Sequence, residues 1–174
     1  MTTNPKLIYI VDDEPLQRDM LADHIRKVSG YEIHSFSTGE EVLGAMKVRQ
    51  PGICFLDFHL STQVRDAMNG IEVLKEIKRA SPATEVVMVS GQDSIDVAVN
   101  TMKYGAFDYV VKGEGAFVRA EKAVFNIYRY HKMQGNATRY RKLTIIFGIV
   151  ALLMIALVIY LYQKGAISNN PGWM

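Results

Sequence analysis

One cysteine is all the chain holds, Cys54, and it lies inside an apolar run; no internal disulfide can form and a reducing compartment is expected. The amino terminus, Met1-Thr2-Thr3-Asn4-Pro5-Lys6-Leu7, lacks the apolar core of a signal peptide, so the first domain is expected to stay in the cytosol. Acid is scarce downstream. Residues 115–174 carry eight Lys/Arg against one Asp/Glu, a balance of +7, whereas residues 1–114 carry 12 against 17, a balance of −5. The formal total of +2 therefore conceals an acidic head and a basic tail. Such a distribution is poor material for binding nucleic acid, and it suits a cation-binding head on a membrane-proximal neck. Neither a repeat beyond the strand–helix alternation nor a low-complexity segment is present.

Charge is missing altogether from residues 143–162, where Thr144 is the one hydroxyl apart from tyrosines. Twenty helical residues span roughly 30 Å, the thickness of a bilayer's hydrocarbon core. A stretch apolar on every side is neither an amphipathic surface helix nor a coiled-coil strand. Arg129, Lys132, Arg139, Arg141 and Lys142 precede it and only Lys164 follows, so the positive-inside rule places the head in the cytoplasm and residues 163–174 outside. Tyr140 on one side and Tyr160 and Tyr162 on the other fit interfacial aromatic belts. Gly148 has no small partner four residues away that would mark a helix-pairing motif. The expectation is a single-pass anchor in the inner, cytoplasmic membrane.

Ahead of that stretch the chain alternates. Apolar runs at residues 7–11, 53–57, 85–89 and 107–111, and an alternating stretch at 31–36, have the length and pattern of strands. Pro15 suits a first helical turn, and Leu16, Met20, Ala22, Ile25 and Val28 form a stripe that ends at Ser29-Gly30. A second helix opens at Ser37-Thr38-Gly39-Glu40-Glu41, turns Val42, Leu43 and Met46 inward, and runs to Pro51. A third carries Ile71, Val73, Leu74 and Ile77 and stops at Ser81-Pro82; a fourth covers about 94–104, up to Gly105. Phe117, Ala120, Val124, Ile127 and His131 mark a longer fifth. The order is (βα)5, which predicts an α/β fold: a doubly wound parallel sheet with helices on both faces. The expected layout is a domain over 1–133, a polar linker over 134–142 around Gln134-Gly135-Asn136-Ala137-Thr138, a transmembrane helix over 143–162 and a tail over 163–174.

The chemistry gathers where the strands end. The run over 53–57 stops abruptly in a carboxylate, Asp57, and open α/β sheets bind their ligands in the crevice outside the carboxyl ends of the strands. Asp12 and Asp13 follow the first strand, Ser90 the fourth and Lys112 the fifth. Taken singly, each has a plainer reading. Asp12 or Asp13 serves equally as a helix cap, Ser90 as a turn residue, Tyr109 as core packing and Lys112 as a solvated strand end. Asp57 is harder to dismiss, because a carboxylate ending a buried strand is costly without a cation. Their joint occurrence at four strand ends is what points to a site.

Asp12-Asp13-Glu14-Pro15, Asp57, Ser90, Tyr109 and Lys112 together resemble the receiver domain of two-component response regulators, over about residues 5–130. The resemblance implies the flavodoxin-like receiver fold and implies that Asp57 accepts a phosphoryl group from a histidine kinase or phosphotransfer protein, with Mg²⁺ required. It further implies that Asp13 and Asp57 bind the metal directly, Asp12 through water and His59 through its backbone carbonyl. Lys112 would pair with a carboxylate at rest and with the phosphoryl group after transfer. Ser90 would donate to a phosphoryl oxygen, and Tyr109 would swing into the space that Ser90 vacates. The chemistry fits independently: a carboxylate is a recognised nucleophile, and phosphoryl transfer needs mainly alignment and neutralised oxygen charge. The His59 side chain has no partners typical of zinc and is expected to face solvent.

Two features depart from the family pattern. Thirteen positions separate Asp57 from Gly70, more than usual, and the proline that usually follows the acceptor is missing; residues 61–68 form the extra segment. Lys112 is followed by Gly113 where a cis proline is usual; a cis bond there would cost about 3 kcal/mol, so a trans bond is expected, with glycine making the turn.

The reading is a membrane-tethered receiver, not an enzyme beyond its own phosphorylation and dephosphorylation, and without a nucleic-acid-binding output. It would signal to a downstream protein, or to a second copy, through the face formed by the fourth helix, fifth strand and fifth helix. A haloacid dehalogenase-like phosphatase would need a second acid where His59 stands, and a flavodoxin-like carrier would need a Ser/Thr/Gly-rich loop after the first strand. A phosphorylation-independent, membrane-tethered scaffold remains the alternative.

Overall fold

The computed structural model describes residues 3–60 and 68–164, and for residues 134–143 the backbone alone. Five strands, β1 (Asn4–Val11), β2 (Glu32–Phe36), β3 (Pro51–Asp57), β4 (Glu85–Ser90) and β5 (Asp108–Val111), form one sheet in the order β2-β1-β3-β4-β5, every pair parallel. The connecting helices are α1 (Pro15–Ser29), α2 (Gly39–Met46), α3 (Gly70–Ala80), α4 (Ile95–Lys103) and α5 (Ala116–Gln163). This is the flavodoxin-like receiver architecture expected from the alternation, with the strand order reversing between β1 and β3.

The central strands are apolar on both faces, as buried parallel strands must be. Leu7, Tyr9, Val11, Cys54, Leu56, Val86 and Met88 pack on one side with Val42, Met46, Val73, Leu74 and Ile77 of α2 and α3. Ile8, Ile10, Ile53, Phe55, Val87, Val89 and Val110 pack on the other with Leu21, Ala22 and Ile25 of α1 and Ala120, Ala123, Val124 and Ile127 of α5. Period-2 alternation within each strand divides its residues between the two layers.

Several boundaries differ from the sequence reading. Helix α2 stops at Met46, and the turn that follows is closed by the Val48 and Arg49 N–H groups donating to the Ala45 carbonyl. In α1 the buried face is Leu21, Ala22 and Ile25, while Leu16 is 66% and Met20 48% exposed, and Val28 is exposed as well. The helix carries apolar residues on more than one side, and one residue of offset, Leu21 for Met20, turns the face by about 100°. His131 is exposed, beyond Ile127, the last buried residue of α5 among the described ones.

The expected linker over 134–142 is helical, and α5 runs through it without a break. Gly135 costs only about 1 kcal/mol in a helix interior, too little to end a long helix flanked by good formers. The chain divides into two compact units, Met1–Tyr128 and Arg129–Met174. Within the second, Thr144–Gln163 is long and apolar enough to cross a membrane, with a mean hydropathy of 2.9 and no part of it buried. The side chains of Arg139, Tyr140, Arg141 and Lys142 lie outside the described residues, as do residues 61–67 of the long loop and 165–174 of the tail.

Candidate functional site

Four loops converge at the carboxyl edge of the sheet. Register brings Val11 beside Leu56, Asp57 beside Val89, and Ser90 beside Val111, so the residues closing or following these strands share one crevice. Asp12 and Asp57 are almost completely buried there, and Asp13 is half-buried. One carboxylate oxygen from each of the three lies within 4.8 Å of the other two.

Lys112 bridges two of these acids. Its Nζ stands 2.8 Å from Asp12 Oδ2 and 2.9 Å from Asp57 Oδ2. The remaining oxygens accept backbone donors: Asp12 Oδ1 from the Glu14 N–H at 2.9 Å, and Asp57 Oδ1 from the His59 N–H at 3.2 Å. Burial opposes the charge of Lys112, but its hydrogen bonds to Asp12 and Asp57 outweigh that, and its pKa lies above the ordinary lysine value. Burial likewise pushes the Asp12 carboxyl up, and the nearby Asp57 charge adds to the rise, against the lowering effect of Lys112 and the Glu14 N–H. Two of the three carboxylates share one ammonium with the third beside them, and these groups together carry an unbalanced negative charge. Hard oxygen donors at this spacing suit a small divalent cation, which prefers oxygen ligands and keeps several waters.

Backbone geometry explains how the groups are held. Gly70 opens α3 directly over the end of β3; a Cβ at this position would collide with the Asp57 carbonyl oxygen and stand 2.8 Å from Phe58 Cα. Asn69 caps the same helix by accepting from the Glu72 N–H, and the Glu72 carboxylate accepts from the Asn69 N–H in return. After β5 the turn is made by Gly113 at φ +130°, a conformation that favours glycine, and the described residues contain no cis peptide bond. The Lys112 N–H donates to the Ser90 carbonyl at 2.6 Å, which fixes the stem of the lysine against β4.

Ser90 is fully buried, and its Oγ accepts from the Gln92 N–H at 3.1 Å. The half-buried Tyr109 donates its hydroxyl to the Gln92 carbonyl at 2.7 Å. The backbone of Gln92 thus touches both residues. Sequence reasoning named Ser90 and Tyr109 but not Gln92, whose part is played by main-chain atoms and leaves no residue-type signal. The His59 side chain is exposed and packs edge-on against Phe58, with its ring centroid 4.8 Å away.

A family model described as the response regulator receiver domain matches residues 8–118. The chemotaxis protein CheY of Thermotoga maritima is 33% identical over 108 residues, which cover 62% of this chain and 85% of that protein. The nitrogen assimilation regulatory protein NtrX of Azorhizobium caulinodans is 36% identical over 105 residues, 60% of this chain but only 22% of the NtrX length. Among solved structures, a CheY-like receiver domain protein from Methanospirillum hungatei matches with a TM-score of 0.62 at 25% identity, covering 75% of this chain and 99% of that one.

Proposed function

This chain belongs to the response regulator receiver family, and from that premise we propose that Asp57 accepts a phosphoryl group from the phosphohistidine of a kinase or phosphotransfer protein. Receiver domains work with such partners and bind Mg²⁺ at an acidic pocket. The observation that carries the reading is the sharing of a single Lys112 by two buried carboxylates, with a third beside them. In the reaction an Asp57 oxygen bonds to phosphorus while the phosphorus–nitrogen bond breaks, and the departing imidazole keeps the electron pair and takes up a proton. Asp12, Asp13 and Asp57, with the His59 carbonyl, would hold Mg²⁺, which when bound neutralises charge on the phosphoryl oxygens. Lys112, already within 3 Å of Asp57, is placed to pair with the new phosphoryl group.

The response begins at Ser90. To donate to a phosphoryl oxygen Ser90 moves toward Asp57 and draws on its bond from the Gln92 N–H, while the carbonyl of the same residue, in the next peptide, accepts the Tyr109 hydroxyl. A shift of Ser90 is thereby felt at Tyr109 through the Gln92 backbone, a two-state element biased by a modification. The surface it alters includes α4, where Ile95, Val99 and Met102, spaced along one side, and Tyr104 just beyond are exposed. Output is through protein contacts at this face, to a partner or to a second copy. The chain catalyses no more than its own phosphorylation and dephosphorylation.

Thr144–Gln163 is the anchor, with the receiver in the cytoplasm on the side of Arg129 and Lys132. Twelve of its residues are Ile, Leu, Val or Phe, which together favour insertion by roughly 4–7 kcal/mol. Tethering confines the receiver to the membrane plane and raises its effective concentration near a membrane kinase. Labelling of the full chain by a radioactive small-molecule phosphodonor tests the central step. Wild type should label in a Mg²⁺-dependent manner and Asp57→Asn should not; persistent labelling of the variant refutes the assignment. If Asp57→Ala binds every partner as wild type does, the chain is a phosphorylation-independent scaffold.

A further inference from the structure

Arg18 lies one helical turn into α1, yet its side chain is only 15% exposed. A guanidinium is rarely buried without a carboxylate partner, because desolvating the charge is expensive. The nearest carboxylate, Asp19, is 71% exposed and 4.0 Å from Nε, too far for a hydrogen bond. Arg18 Nη1 instead donates to the Asp12 backbone carbonyl at 2.9 Å and to Ser37 Oγ at 3.3 Å. That carbonyl belongs to the peptide joining Asp12 to Asp13. The Asp12 N–H, at the other end of the residue, donates to the Phe36 carbonyl at 3.2 Å. The backbone of Asp12 is thereby held on both sides, and both anchors lie at the end of β2 or in the loop after it.

The second anchor is itself fixed. The Ser37 N–H donates to Glu41 Oε2 at 2.8 Å, in the first turn of α2, whose N-cap Thr38 accepts from the Glu41 N–H. Without Arg18, the segment from Asp12 to Glu14 would keep its side-chain contacts, but the peptide leading into Asp13 would lose its carbonyl partner. Among the described residues, Asp13 is the acid of the trio that no cation or hydrogen-bond donor contacts, so its direction there depends on the backbone beneath it.

We propose that Arg18 is a positioning residue for the acid pocket: Nη1 of its guanidinium fixes the Asp12–Asp13 peptide against Ser37 and so aims the Asp13 carboxylate at the cation. The inference rests on the phosphoacceptor reading given above. It assigns the effect to the planar geometry and reach of the guanidinium, not to the positive charge, because one nitrogen, Nη1, aims its two hydrogens at oxygens on different loops, a placement that a shorter, freely rotating ammonium does not hold. Groups that orient metal ligands from behind matter nearly as much as the ligands, and their loss commonly costs about 10- to 100-fold in metal affinity.

Calorimetric titration of the detergent-solubilised full chain with Mg²⁺ tests this, beside urea unfolding without the metal. Arg18→Lys, which keeps the charge, should bind Mg²⁺ about ten-fold more weakly than wild type. Ser37→Ala should weaken binding in the same direction by less, and both variants should keep a cooperative urea transition. Arg18→Lys binding as tightly as wild type overturns the proposal, as does weakened binding that only follows general loss of structure. Should Arg18→Ala fail to fold, the lysine and Ser37→Ala variants still decide. Failure of wild type to bind Mg²⁺ would bring down the phosphoacceptor reading itself; normal binding by wild type and Arg18→Lys alike would remove only the role of Arg18.

Discussion

Two parts of this chain invert the usual distribution of polar and apolar groups, in opposite senses. At the sheet edge Asp12 and Asp57 are carboxylates with 6% and 3% of their surface exposed. Along Thr144–Gln163 a run of mean hydropathy 2.9 has none of its length covered. Apolar residues inside and charges outside are what any fold produces; a buried charge and a contiguous exposed apolar surface are the informative departures. Each specifies the environment that balances it. Two acids sharing one lysine, with a third beside them, call for more positive charge, and a helix apolar on every side calls for a hydrocarbon solvent. The receiver fold accounts for the first inversion and the proposed anchor for the second.

The comparison breaks most visibly on the apolar side. Leu152→Arg with Ile155→Arg places two charges near the middle of the span, each costing about 3 kcal/mol there, and together they offset nearly all of the roughly 4–7 kcal/mol favouring insertion. The variant should pass from the membrane pellet to the soluble fraction on alkaline carbonate extraction. Retention in the pellet would show that apolar character is not what holds the chain there. On the polar side, Lys112→Met strips two buried carboxylates of their shared cation, and a loss of about 3–5 kcal/mol is expected in urea unfolding without divalent metal. Mg²⁺ should then stabilise this variant more than it stabilises wild type, because it supplies charge that the pocket lacks. Equal stabilisation would mean that the metal and the lysine do not answer to the same acids.

Gly70→Ala sharpens the same side with a smaller effect. Its Cβ would meet the Asp57 carbonyl and Phe58 backbone, neither of which can swing aside as a flexible side chain would, so α3 must shift at a cost of about 1–3 kcal/mol. Phosphodonor labelling should fall along with stability, since the displaced backbone carries Asp57. An unchanged labelling rate would separate the packing of α3 from the geometry of the acceptor.

Much of this was legible in the residues, for physical reasons that also explain the gaps. Buried parallel strands read as continuous apolar runs, so β1, β3 and β4 stand out, the edge strand β2 shows by its alternation instead, and Asp57 is conspicuous because it ends one of the runs. Lys112 was harder to place, since Gly113 replaces the expected proline; the positive φ of Gly113 makes the turn, and the ammonium still reaches both acids. The buried face of α1 was misplaced because Leu16, Met20 and Val28 are apolar without being covered. The unbroken course of α5 through Gly135 escaped a reading that gave one glycine and a few polar residues the weight of a linker. Arg18 and Gln92 gave no warning, because each works through a peptide group, and which peptide meets which side chain is decided by the fold.

The smallest expected effect lies at the edge strand, far in character from either inversion. Glu32 on β2 accepts both prongs of the Arg49 guanidinium, at 2.7 and 2.8 Å, and stands 2.8 Å from His34 Nε2. The hydrogen bonds from Arg49, followed by that from His34, pull its carboxyl from the ordinary 4.5 down to about 2. A carboxyl depressed in the folded state stabilises the fold above its unfolded pKa, and that contribution is lost as pH falls through the folded value. The window therefore runs from about pH 4.5 down to about pH 2. All the groups involved are exposed, so solvent and salt screen the pair and the contribution is small. Comparing urea midpoints of wild type and Glu32→Gln across that window isolates it from the buried acids, which titrate in both proteins. The difference in favour of wild type should be greatest above the window, shrink through it, and weaken with added salt. A difference that stays constant with pH would mean that Glu32 acts by filling the edge of the sheet and not by its charge.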